Sequence, residues 1–225
     1  MIFRGTSRIH CSRILACSAI AVGLLAGGCS PESSEKASTE SWKPLFDGRS
    51  LENWEEAKFS QAGKVRLEDK AIFLYPGAPF TGVVYTGQGF PDLNYEIGLE
   101  ATLLEGNDFF CALTLPYEDT HFTFVAGGWS GSVTGISNID DSDASENETR
   151  STIAFEQNKP YTIKVRVTED RIEAWIDGSQ VVDLEVRGRK ISLRPGEIGR
   201  CRPVGICSYF TKARIRKIRY RRVRP

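Results

Sequence analysis

The chain is poor in the side chains that most often build metal and nucleophilic sites. Only two histidines occur in 225 residues, His10 and His121, and none of the six cysteines stands in a CxxC pair, so the sequence gives no zinc signature. There is no Gly-x-Ser-x-Gly elbow, Walker loop or dinucleotide fingerprint, which argues against serine-hydrolase and nucleotide chemistry. Net charge is missing as well. The 29 Lys and Arg balance 29 Asp and Glu, and a chain without a basic excess gives no reason to expect nucleic acid as a partner. No internal repeat is present, and beyond the first 28 residues no stretch keeps a helical apolar period for three turns.

What is present begins with a targeting device. Arg4, Arg8 and Arg13 precede an apolar run from Ile14 to Leu25, and Ala26-Gly27-Gly28 lead directly into Cys29. The run is shorter than the ~20 residues of a membrane-spanning helix. A basic start, a short apolar stretch and small residues describe a cleaved export signal over residues 1–28. Small residues immediately before a cysteine suit lipoprotein processing, with Cys29 acylated as the mature N-terminus; plain secretion is the alternative. The expectation is an exported lipoprotein, held to the membrane by its N-terminal lipid and facing the periplasm or the cell surface. Cleavage leaves Cys111, Cys201 and Cys207 besides Cys29, an odd number for an oxidising compartment. Cys201 and Cys207 are near enough in sequence to pair, with Cys111 left as a buried thiol. Residues 29–41 contain SPESSEKASTES, which has nothing apolar larger than alanine to offset ordering entropy and reads as a flexible tether.

Residues 42–225 read as one all-β domain. Tyr95, Ile97, Leu99, Ala101 and Leu103 alternate with polar or small residues, and so do Tyr161, Ile163, Val165 and Val167, the period of a strand with one buried face. Glu169-Asp170 then turns the chain into 171–176, and Asp177-Gly178, a pair favoured in tight hairpins, returns it through 181–186. Shorter strands are predicted at 71–75, 82–86, 109–115, 121–126, 151–155, 191–194, 204–210 and 213–223. The last has one charged face and a bulge near Lys217. Its eight basic residues between Lys212 and Arg224 read as a solvated face, or as one drawn to anionic lipid or acidic polysaccharide. About a dozen short strands fit a two-sheet sandwich.

Three features invite a functional reading. The segment from Gly127 to Arg150 looks irregular and holds Asp140, Asp141, Asp143, Glu146 and Glu148, flanked by Trp129, Asn138 and Asn147. Such a loop is either a site or a solvated acidic surface: paired carboxylates serve glycoside chemistry, and Asp140, Asp141 and Asp143 could ligate a divalent cation such as calcium. Trp175 faces away from the buried parity with Glu173, and Lys164 and Arg166 share its face if the strands pair across the turn; it reads as a sugar platform or as part of a second small core. His121 lies on the side of its strand opposite Phe122 and Phe124, together with Thr123, as a proton carrier or a structural residue. Trp54 reads as a packing residue, with binding as the alternative.

The decapeptide LFDGRSLENW, Leu45 to Trp54, resembles the opening signature of the DUF1080 or 3-keto-disaccharide hydrolase family. FPDLNYEIGLEA (90–101), EAWIDGSQVVD (173–183) and the closing Gly196 to Val223, with its Gly-x-Ile-Gly step, are similar to further family segments. The family often shows a strand reading Tyr-Glu-Val-Gln, and the resemblance puts Thr123 where its carboxylate is expected. The resemblance implies a concanavalin A-like jelly roll with its ligand on the concave sheet and rim loops, and cleavage of glycosidic bonds in sugars oxidised at carbon 3. On that reading Glu100, Asp108, His121, Asp140 and Asp143 are catalytic candidates, and Trp129, Trp175, Asn138, Asn147 and Arg166 substrate-binding candidates. The competing class is a lectin-like module that holds carbohydrate without turnover.

Overall fold

The computed structural model describes residues 40–224. The export signal, Cys29 and the tether before residue 40 lie outside the described residues.

Among the described residues fifteen strands form: β1 Lys43–Pro44, β2 Trp54–Glu56, β3 Val65–Glu68, β4 Ala71–Leu74, β5 Phe80–Tyr85, β6 Tyr95–Glu105, β7 Cys111–Tyr117, β8 Thr120–Gly127, β9 Val133–Ser137, β10 Ser151–Thr152, β11 Pro160–Val167, β12 Arg171–Ile176, β13 Ser179–Glu185, β14 Val204–Tyr209 and β15 Lys212–Arg222. They make two antiparallel sheets. The first runs β13-β12-β11-β6-β15-β4-β3, with β1 added beside β15; the second runs β10-β9-β8-β7-β14-β5-β2. Apart from these the described residues hold one four-residue turn, Gly128–Gly131, and one 3-10 turn, Glu197–Cys201.

The alternation seen in the sequence becomes the core. Ile97 and Leu99 of β6, Ile163 and Val165 of β11 and Ile215 of β15 meet Leu113, Leu115, Phe122, Phe124 and Ile206 of the second sheet in one apolar layer. Truncating a buried phenylalanine such as Phe124 removes about 3–5 kcal/mol. The Asp177-Gly178 turn forms with both residues left-handed, φ 49° and 82°, the twist that suits a two-residue hairpin. The bulge expected near Lys217 also forms: the β15–β6 register shifts between Arg216 and Arg219, with Lys217 at φ 57°. A bulge is what lets Ile218 return to the core after Arg216 and Lys217 both point outward.

The opening decapeptide is a closure device. Leu45, Phe46 and Trp54 are buried, the Trp54 indole N–H donates to the Leu45 carbonyl at 2.8 Å, and Asp47 accepts the backbone N–H groups of Arg49 and Ser50. Trp54 therefore packs.

Three expectations need correction. The segment 127–150 is not irregular throughout, because Val133–Ser137 pairs with β8 and β10 as a strand buried on both faces, so its apolar pattern does not alternate. Residues 191–194 form no strand; Ile191 makes only an isolated bridge to Ile139. Cys111, Cys201 and Cys207 are all free and buried rather than two of them paired. Burial pushes the Cys111 thiol up to about 12, so it stays protonated and inert.

Candidate functional site

The second sheet is covered on both faces. Its inner side joins the main core, while Ala112, Val125 and Cys207 point outward into a second apolar cluster with Ala57, Phe59 and Cys201. The covering chain comes from residues 57–60 and from the 3-10 turn. It fits closely because position 205 is glycine: a Cβ there would stand 2.3 Å from the Cys201 carbonyl oxygen.

Beside this cover lies a cavity of about 450 Å³. Its sheet side presents Ala112, Thr123, Val125 and Ser137, and its walls carry Phe80, Phe109, Trp129 and Tyr209. Three charged side chains reach it, Asp108, Arg194 and Glu197. Apolar walls with a few converging polar groups are the usual make-up of a small-ligand site. Deeper in the sheet, the Thr114 and Thr123 hydroxyls lie 3.1 Å apart.

Trp129 is held in an unusual backbone. Gly127, Trp129, Ser130 and Gly131 all have positive φ, and Trp129 itself sits at φ 49°, ψ 62°. A side-chain-bearing residue in this region costs about 1–2 kcal/mol, and such strain tends to gather at working sites. Asp108 supports the turn. One of its oxygens accepts the Ser130 N–H at 3.2 Å and the other the Phe109 N–H at 2.8 Å.

Arg194 lies with its guanidinium 5.8 Å from the Trp129 ring centroid, and its Nη1 is 3.2 Å from Asp143 Oδ2. Glu197 accepts hydrogen bonds from the Ser60 hydroxyl and, at 3.0 Å, the Ser60 N–H. The Ser60 hydroxyl holds the Glu197 carboxyl below the usual carboxylate range, so it is ionised at neutral pH.

Of the residues proposed from sequence, the cavity gathers Asp108 and Trp129, and Asp143 touches it through Arg194. The others stand elsewhere. Glu100 is on the outer face of the first sheet, bound by Arg216 and Lys217; burial pushes its carboxyl up, and those hydrogen bonds overcome this and leave it lowered. Trp175 and Arg166 share that face. Lys164 Nζ lies 3.9 Å from the Trp175 ring centroid, so a cation occupies a face that a sugar would need. His121 does not line the cavity; burial and then the Arg202 charge lower its pKa.

The acidic loop is reassigned from ligand site to clasp. Asp140 pairs with Arg189 at 2.6 Å, Asp141 with Lys190 at 2.8 Å, Asp143 with Arg194, and Glu148 with Arg189. Cations from the segment 189–194 thus offset the charge of these acids. No cluster of three or more His, Cys, Asp or Glu able to hold a metal occurs among the described residues. Asn138 and Asn147 are buried structural groups: Asn138 Oδ1 accepts from Ser137 Oγ, and Asn147 Nδ2 donates to the Ile136 and Ser142 carbonyls.

The residues missed in the sequence are Glu197, Arg194 and the aromatic walls. Glu197 is the variable position of the Gly-x-Ile-Gly step, so a signal for it existed. The walls gave none, since Phe80, Phe109 and Tyr209 read as ordinary strand or strand-end residues.

A profile of the family described as the 3-keto-alpha-glucoside-1,2-lyase-like domain matches residues 41–221. The chain belongs to that family. Among solved structures, this lyase-like domain is similar in fold to the apo Crh5 transglycosylase (TM-score 0.55, 13% identity, 82% of this chain and 84% of that one). It is also similar to SCLam, a non-specific endo-beta-1,3(4)-glucanase of family GH16 (0.54, 11%, 84% and 94%). A third is a putative glycosyl hydrolase from Parabacteroides distasonis (0.52, 10%, 82% and 95%). No curated protein matches the sequence. The 3-keto-alpha-glucoside-1,2-lyase-like domain is thus a carbohydrate-active jelly roll of concanavalin type.

Proposed function

We propose that the cavity takes a sugar oxidised at carbon 3 and breaks its glycosidic bond by elimination. The observation that carries this reading is that Glu197 and Arg194 both line one aromatic-walled cavity. A ketone at C3 acidifies the proton on C2. When a base removes that proton, the electron pair forms the C1–C2 double bond as the C1–O bond breaks, and the departing alkoxide takes up a proton; water can then add across the double bond. This route needs one positioned base, whereas ordinary glycoside hydrolysis uses two carboxylates.

Glu197 supplies the base, kept ionised by Ser60. Arg194 stabilises the oxyanion that develops at C3, a role suited to a cation that Asp143 holds beside Trp129. Trp129 offers its ring to the sugar, and Asp108 positions Trp129 rather than reacting. The family's lyase description supports the same chemistry.

The test compares a 3-keto disaccharide with its unoxidised parent. Sugar should be released only from the keto compound, and Glu197→Gln should lower the rate at least about 100-fold while the fold persists. Release from the unoxidised sugar at a similar rate would overturn the proposal.

A second reading has its own support. The resemblance puts Thr123 where the family often has a carboxylate, and Thr123 lines the cavity. Binding of keto sugars without release of product would make the domain a glycan-binding module. We also propose export and anchoring through acylated Cys29, on the strength of the Ala26-Gly27-Gly28-Cys29 sequence. Mass spectrometry of the mature N-terminus tests it, and an unmodified terminus at another residue would remove it.

A further inference from the structure

The outer face of the first sheet, opposite the core, carries an organised surplus of positive charge. Its central strand β6 contributes Glu96 and Glu100. Glu96 is completely buried, with Arg166 Nη2 2.6 Å from one oxygen, Arg221 Nη2 2.6 Å from the other, and Lys164 Nζ at 3.9 Å. Glu100 is held between Arg216 and Lys217, the latter at 3.0 Å. Glu173 on β12 stands 3.7 Å from Arg166. Arg214 and Arg219 have no carboxylate within ion-pair distance among the described residues: Arg214 donates to the Thr102 hydroxyl at 3.3 Å, and Arg219 lies over Trp42.

The cations are also fixed in place. Trp42 lies under Arg219 and Arg221, at 4.8 and 4.7 Å from its ring centroid, and Trp175 under Lys164 and Arg166, at 3.9 and 5.6 Å. Long basic side chains held this way lose little further rotamer freedom when a ligand arrives. The way Glu96 and Glu100 are held shows which group the array receives, namely a carboxylate bridging two cations. Arg214, opposite Thr102 of β6, and Arg219, opposite Gly98, stand apart on the face, and each offers a guanidinium to a separate carboxylate from outside.

We propose that this face binds a linear uronate polysaccharide. Arginine forks suit carboxylates. A membrane surface fits less well, because interfacial binding draws on buried apolar area, and the one large exposed apolar side chain among the described residues, Phe210, sits in the turn after β14 rather than on this face. The proposal concerns the sheet opposite the cavity, so it stands or falls independently of the sugar chemistry there.

The test uses the full chain carrying Cys29→Ser, with polygalacturonate as probe in affinity electrophoresis and titration at low and high salt. Binding should weaken with salt and should fall about tenfold or more in Arg214→Glu/Arg219→Glu, while Arg49→Glu, in an exposed loop, leaves it unchanged. Arg219→Ala should weaken binding several-fold and covers the case in which the double variant misfolds. Absence of binding at low salt, or unchanged affinity in folded variants, would overturn the proposal. Binding only to dextran sulfate or to phosphatidylglycerol vesicles would overturn the uronate occupant.

Discussion

Asp143 Oδ2 lies 3.2 Å from Arg194 Nη1, and this single contact joins the acidic loop to the wall of the cavity. An exposed arginine would otherwise sample many rotamers, but the pair holds its charge near Trp129. The acidic loop therefore acts on the site at one remove, through the cation it orients.

Replacing Asp143 by Asn should separate those effects. Partly exposed pairs contribute about 0.2–1 kcal/mol, so the melting temperature should change little. Affinity for a 3-keto sugar should drop several-fold, with Arg194→Ala giving a larger loss and no further effect from Asp143→Asn in the Arg194→Ala background. Additive losses measured by calorimetry would show that Asp143 does not work through Arg194.

Ser130 tests the strained turn. Its φ of 68° is free for glycine and costly for other residues. Ser130→Gly should stabilise the domain by roughly 0.5–1 kcal/mol in urea melts, because the Asp108 bond is to the backbone N–H and survives. A destabilised variant would mean that the turn is not strained.

Glu96 should be the most sensitive acid on the first sheet. It is completely buried beneath Arg166 and Arg221, and removing its charge leaves those cations uncompensated. Glu96→Gln is expected to cost about 2–4 kcal/mol, reduced from the fully buried case because the arginines keep some exposure to water. Glu173→Gln should cost less, about 1 kcal/mol or under, because Glu173 keeps some exposure to water and lies 3.7 Å from Arg166. Equal losses in chemical denaturation would contradict the ranking.

His121 sets a pH dependence. Burial first, and the Arg202 charge second, lower its pKa in the folded state from the ordinary value of 6.5. The unfolded chain then binds more protons as pH falls below that value, so stability declines through this window and levels off once the folded histidine also protonates. His121→Gln should flatten that part of the curve. The acid limb at lower pH should remain, since Glu197, Asp140 and Glu148 all have lowered values in the fold. A slope unchanged by the substitution, followed by thermal melts, would assign it to other groups.

The hairpin at Asp177-Gly178, the bulge at Lys217 and the buried faces of β6 and β11 were all legible in the sequence. Each depends on residues a few positions apart, and a two-residue side-chain period or a left-handed turn leaves a local mark. Strand β9 escaped because both its faces are buried, and no alternation survives. Trp129 was legible as an aromatic residue beside glycines, and Asp108 through the family resemblance. Their partnership was not, because Asp108 reaches Ser130 across 22 residues of chain.

By itself the amino-acid sequence determined an all-β domain of its family, the parity that sends Trp175, Arg166 and Glu100 to one face, and the unusual density of acids in the 140–148 loop. Only the tertiary structure decided what those groups do. It laid residues 57–60 and 197–201 over the second sheet, and so made the cavity there. It set Arg189, Lys190 and Arg194 against the acidic loop, so that charges which repel one another along the chain are neutralised by a segment about 50 residues away. Periodicity tells each side chain which side of its own strand it occupies; which distant chain covers that side is a matter of long-range packing, to which no local pattern in the sequence corresponds.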